Sequence, residues 1–182
     1  MKTFAYVVRR VFAFGTDWYI SAVLINLMTN AIGHFTSGEY SVHIALAIAS
    51  LLVAFLYYVL VPLKVWKGQT LMMHAMHLKT VDTKGNELSF QRTFLRFFVG
   101  CLLIGGAFYI PSVNIRSVLM IMYPNEAWKY ITSLINVVSV LDLGFILLKW
   151  RDFRLLHDLI FQTKVVDLVG SHTRNVRGIK TS

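Results

Sequence analysis

Acidic side chains are scarce: Asp and Glu supply nine of 182 residues against 18 Lys and Arg, and charged residues of both signs make up only 15%. A soluble domain usually carries about a quarter of its residues as charge. With 56% apolar residues beside that deficit, the composition points away from a soluble domain and toward a membrane protein. Cysteine is nearly absent. Cys101 is the only one, which excludes an intrachain disulfide and leaves the redox compartment open. Internal repeats and low-complexity tracts are missing too.

What the chain does have is apolar length. A helix needs roughly 20 mostly apolar residues to cross the hydrocarbon. Residues 18–35 and 45–63 contain no Asp, Glu, Lys or Arg, and 127–148 holds only Lys129 near one end and Asp142 near the other. A fourth run, 97–110, is shorter and extends backward through Arg96 and Arg92. The predicted spans are therefore about 17–35, 44–63, 92–110 and 127–148, with 113–123 as a short interfacial piece on the far side. The short third run, with Gly100, Gly105 and Gly106, suits either close helix packing or a break. The first run lacks a small-residue cleavage site and is followed by more spans, so no cleavable signal is expected.

The net charge of +9 suggests nucleic acid in a soluble protein, but its distribution gives another reason for it. With four spans, sixteen of the basic residues fall on one side and two, Arg116 and Lys129, on the other. The positive-inside rule then makes the rich side, with both termini, cytoplasmic. No nucleic-acid partner is needed.

Between spans two and three, "LKTVDTKGNELSF" reads as a strand, a turn with Gly85 in the left-handed position, and a second strand or helix start. The expectation is a short cytoplasmic hairpin. Beside it, Met72, Met73, His74, Met76 and His77 crowd soft and borderline ligands into six residues. Copper is the sharp reading, and an interfacial segment using Met as flexible filler is the plain one. No carboxylate or cysteine completes a site, so no metal or other cofactor is expected. Residues 168–182 are basic and polar and are expected to be disordered.

The remaining charges sit in the wrong places for lipid. Arg10 and Asp17 lie seven residues apart and share a helix face with Ala13 and Ser21, about 10 Å apart along the axis at roughly 1.5 Å per residue. Each is thus expected to meet another helix. Asp17 alternatively caps the first span, with Trp18 and Tyr19 as its aromatic belt. In span four, Thr132, Asn136, Ser139 and Asp142 form a polar stripe. Asn26, Thr29 and Asn30 offer polar lining in span one. Just past span four come Arg154, His157 and Asp158, where His157 and Asp158 suit a clasp to Arg10 or Arg92.

These residues carry a resemblance. Arg10, Ala13 and Asp17 are similar to the R-x-x-A-R-x-x-D motif of the RDD family of small bacterial multi-pass membrane proteins, with Phe14 in place of the second arginine. Gly68, Thr70, Leu71, Leu78, Lys79, Val81, Asp82, Gly85, Arg92 and Arg96 look like its middle motif, in which Met72, Met73 and His77 replace the usual Gly, Lys and Gly. Arg154, His157, Asp158, Thr163, Val165 and Val166 complete its closing motif. The resemblance covers nearly the whole chain. It implies an all-α integral membrane protein, a four-helix transmembrane bundle over residues 1–167 in the bacterial cell membrane. It also implies a transport role, with cation/proton exchange the activity associated with some members, while others look like accessory membrane domains of larger assemblies.

Two functional readings follow. In the first, small cations exchange with protons at intramembrane carboxylates, in a cluster of Arg10, Asp17, Arg96, Asp142, His157 and Asp158. A carboxylate in a span costs roughly 2.5–3.5 kcal/mol at the centre, which marks it as a functional candidate. A protomer this small would enclose a pathway as a homo-oligomer. In the second, the chain is a regulatory or scaffolding subunit that binds another membrane protein and transports nothing. An enzyme is not expected. "GTD" and "LDLG" lack the paired Y-D and G-x-G-D pattern of intramembrane aspartyl proteases, and Ser-His hydrolase spacing is missing.

Overall fold

The computed structural model describes residues 2–33, 39–148 and 154–169. Among the described residues it is predominantly helical, with one two-stranded ribbon. Helix α1 is Lys2–Gly33, about 48 Å at 1.5 Å per residue. That exceeds the hydrocarbon thickness of about 30 Å, so the turns bearing Arg9 and Arg10 belong to the same rod as the apolar run. The helix therefore starts some fifteen residues ahead of Asp17. Asp17 is mid-helix and does not cap the span.

Helix α2 (Glu39–Phe55) continues without a break into a wide-turned π segment, Leu56–Val65. Pro62 lies inside it, and Trp66 N–H reaches back five residues to the Val61 carbonyl at 3.1 Å. Proline lacks the N–H an α-helix needs and crowds the preceding turn, and a wider turn relieves both. α1 (as Phe4–Ile32) and α2 with its extension (as Ser41–Val65) are both long and apolar enough to cross a membrane. A short helix α3 (Leu71–Ala75) follows, capped by Thr70, and then strand β1 (Leu78–Asp82).

Helix α4 (Phe90–Leu95) also widens into a π segment, Arg96–Ile104, and stops there. Gly105–Phe108 form a turn, and helix α5 (Ile110–Met122) starts with Pro111 in its first turn and packs on α2. The stretch 92–110 is thus not one helix, and residues 113–122 belong to α5. A break in a packed helix leaves backbone groups that must find partners. Ser139 Oγ accepts from Ala107 N–H at 3.0 Å and lies 2.9 Å from the Ile104 carbonyl, while Arg116 donates to the Gly106 carbonyl at 3.3 Å and to the Ser112 carbonyl at 3.3 Å. Arg116, which sequence reasoning placed on the outer side only as a topology marker, is buried and bonded to neutral acceptors.

Helix α6 (Ala127–Leu148) is uninterrupted; α7 (Leu156–Ile160) and strand β2 (Thr163–Asp167) follow. β1 pairs antiparallel with β2, Leu78 opposite Asp167 and Asp82 opposite Thr163. The hairpin expected within 78–90 is corrected by this pairing. Gly85 does take the left-handed turn conformation, φ +96°, and Asn86 N–H donates to Asp82 Oδ1 at 2.7 Å. The chain after the turn, however, enters a helix, because Ser89 accepts from Arg92 N–H and caps α4. β1 is buried along most of its length and takes its partner from the far end of the sequence.

The apolar core lies between the two π segments: Ala54 and Val59 against Phe97, Cys101 and Leu102, with Tyr58 stacked on Phe97. The segment expected to be disordered, 168–182, lies outside the described residues from 170 onward.

Candidate functional site: a polar cluster around one cavity

The buried face of α1 repeats every three or four residues: Ala13, Asp17, Ser21 and Ile25 are each under 5% exposed. Asp17 meets no cationic side chain among the described residues. Its carboxylate accepts from the Tyr57 hydroxyl, from Thr70 Oγ1 at 2.5 Å and from Met72 N–H at 3.1 Å. The local sequence explains two of these. Thr70 is the residue before a helix start, where a hydroxyl caps the free N–H groups, and Asp17 sits where those groups point. Tyr57 stands on the π segment of α2.

A second carboxylate is treated differently. Asp158 is fully buried, and its two oxygens are divided between two arginines: Arg10 on α1 at 2.6 Å and Arg96 on the α4 extension at 2.7 Å. Thr163 Oγ1 adds a bond at 3.1 Å. Burial alone would raise the Asp158 carboxyl. The charges of Arg96, His157 and Arg10, with the Arg96 hydrogen bond, outweigh it and hold the group well below the usual carboxylate range. Arg92, the other partner offered by the sequence, instead faces Asp82 at 3.7 Å.

Asp142, on α6, accepts from His157 Nδ1 at 3.0 Å and from His157 N–H at 3.2 Å. His157 Nε2 lies 3.7 Å from Asp158 Oδ1, so the imidazole bridges the two carboxylates. It reaches them because position 100 is glycine: a Cβ there would stand 2.9 Å from His157 Cβ. The six residues singled out in the sequence therefore fall into two groups. Arg10, Arg96, Asp142, His157 and Asp158 form one connected network, and Asp17 stands apart with neutral donors.

Both groups border a cavity of about 400 Å³, which is lined by Arg10, Asp17, Arg96, Asp142 and His157. Asp158 lies behind the arginines. The rest of the wall is largely apolar and aromatic, with Phe14, Tyr58, Phe97, Phe108 and Tyr109. The polar residues of α1 beyond Ser21 do not join it: Asn26 and Asn30 are exposed, and Thr29 bonds the Ile25 carbonyl of its own helix.

Several partners were missed in the sequence. Thr70 had a signal, a threonine just ahead of an apolar run. Tyr57 had none, since its position depends on the π turn. Arg9, ion-paired to Asp167 on β2, was legible only as basic charge. Within the Met/His run, His74 stacks on Trp66 and bonds Gln69, and Met73 lies against Thr80; among the described residues no group of three His, Cys, Asp or Glu is placed to hold a metal ion.

Comparison with known proteins adds one match. The model of the RDD family fits residues 4–162, which takes in every residue of both groups. No curated protein and no solved structure matches the chain significantly.

Proposed function

From the premise that the chain belongs to the RDD family, we propose that it is a four-span protein of the bacterial cell membrane, both termini cytoplasmic, that exchanges a small cation for protons at the carboxylates of its cavity. The carrying observation is that Asp17 and Asp142 line one cavity while Asp17 is met only by neutral donors among the described residues. A buried carboxylate without a counter-charge is expensive to ionise. It is relieved by a proton or by a cation, and a site that alternates between the two is an exchanger. Asp158, by contrast, is committed to Arg10 and Arg96, and its role is to hold α1, the α4 extension and α7 together at one end of the cavity. No catalytic step and no cofactor is part of this reading, and a homo-oligomer in the bilayer is the proposed assembly.

The test is a proton-gradient assay in liposomes, with Na⁺, K⁺ or a poorly permeant organic cation such as tetraethylammonium added in turn and Asp17→Asn beside wild type. Cation-driven dissipation that the variant loses is the expected result. A flat response from folded wild-type protein sinks the exchange reading and favours a regulatory or scaffolding subunit for another membrane protein.

A further inference from the structure

The cavity is too large and too apolar for the bare ion that a pair of carboxylates first suggests. We propose that it binds an organic cation with an apolar body, a molecule carrying one positive charge on hydrocarbon or aromatic groups. The inference rests on the exchange reading and names the substrate class of the same site.

Charge gives the sign of the ligand. The two arginines in the wall are engaged by Asp158. Asp17 faces the same cavity with only neutral donors around it among the described residues, so the charge left uncompensated in the wall is negative. An anionic ligand has nothing to neutralise here, whereas a monovalent cation brings the site to balance.

Coordination chemistry rules against an inorganic ion as the best fit. Hard cations are wrapped in oxygen, about six ligands or more. Asp17 already accepts three hydrogen bonds and Asp142 two, which leaves few carboxylate oxygen sites for a dehydrated ion. What surrounds them is ring and aliphatic surface, which supplies no oxygen cage. An organic cation needs none. Its charge is diffuse, its body gains from apolar burial, and aromatic faces such as Phe14, Tyr58 and Phe97 attract it. At about 400 Å³ the space falls within the roughly 300–1,000 Å³ of small-molecule sites.

The cavity rim gives the route. α1 packs on α2 and α3, while α6 packs on α7 and the α4 extension. The cavity reaches Val11 and Phe14 on α1 and Leu143 on α6, and all three are also exposed on the outer surface. An apolar rim on a lipid-facing surface admits an amphipathic molecule sideways from the bilayer, where it concentrates.

The test uses purified full-length protein in detergent and two probes of matched shape and opposite charge, tetraphenylphosphonium and tetraphenylborate, followed by equilibrium dialysis. Tetraphenylphosphonium is expected to bind saturably, with tetraphenylborate unable to displace it. Asp17→Asn is expected to weaken binding by about tenfold or more. Leu143→Trp, at an exposed rim position that tolerates bulk without refolding the core, narrows the entrance and weakens it as well. This second variant keeps the test decisive where Asp17→Asn does not fold. Equal binding of the two probes, no saturable binding, or binding that neither variant changes overturns the proposal. Parallel liposome assays separate it from its premise. Na⁺- or K⁺-driven exchange without tetraphenylphosphonium binding overturns the organic-cation site alone, and binding without any proton exchange keeps the site and overturns transport.

Discussion

Asp158 shows how much one buried residue has to carry. It is the junction of two arginines from two helices, and removing it leaves both cations with no carboxylate between them. Breaking a buried ion pair from one side costs about 3–5 kcal/mol, so Asp158→Asn is expected to lower stability by about that much in chemical denaturation of the detergent-solubilised protein. The pH dependence has a definite sign. A carboxyl held below its usual range stabilises the fold above its unfolded pKa, about 3.9, and the contribution fades as pH falls from there toward the lower folded value. Melting temperatures of wild type and Asp158→Asn should therefore differ by a constant amount near neutrality and converge in acid below about pH 4. A difference that stays constant through that range would mean the carboxylate charge is not what holds the clasp. His157 was legible in the sequence as a neighbour of Asp158, yet its bridge to Asp142 was not, because that contact depends on how α7 turns back beneath α6.

At the scale of elements, two close approaches decide whether the site assembles. α7 packs on the α4 extension through Gly100, and Gly100→Ala would place a methyl 2.9 Å from His157 Cβ. Overpacking of this kind costs about 1–3 kcal/mol. It should push His157 away from Asp142, visible as lost stability in wild type that is much smaller in an Asp142→Asn background, where the bond at stake is already weakened. The other approach is at the broken helix. Arg116 reaches the Gly106 carbonyl freed by the turn at 105–108, so Arg116→Met should cost about 1–3 kcal/mol by stranding a buried acceptor, with Arg116→Lys recovering part of it. Stability unchanged in Arg116→Met would show that the break needs no donor. The break was half-legible, since Gly105, Gly106 and Pro111 are poor helix material, whereas the arginine that seals it read only as outer-side charge. The β1–β2 pairing was hidden for a different reason. Alternation and a turn residue mark a strand and suggest a local partner, but Ser89 starts a helix where the partner would run, and nothing local in the sequence says that residues 163–167 take its place.

At the scale of the molecule, charge asymmetry and the helix lengths constrain topology together. α1 and the extended α2 are each long enough to reach across a bilayer, so the clasp built from Arg10 and the ribbon built from β1 end up on the same side only if α2 returns the chain to where α1 began. The observed contacts of α1 with α3, and of Arg9 with Asp167, are of that kind. They join the N-terminal turns, the middle connection and the segment after α6 into one polar end. On the four-span reading of the sequence, sixteen of the 18 basic residues belong to the segments on that side, and basic residues are retained on the cytoplasmic side. The prediction is concrete. In a Cys101→Ser background, Ser37→Cys in the first connection should react with a membrane-impermeant maleimide in intact cells. Thr83→Cys in the turn after β1, and Thr173→Cys near the C-terminus, should react only after the membrane is opened. Labelling of Thr173→Cys from outside would mean an odd number of crossings, and the clasp between α1 and α7 would then have to be abandoned, since its two halves would face opposite solutions.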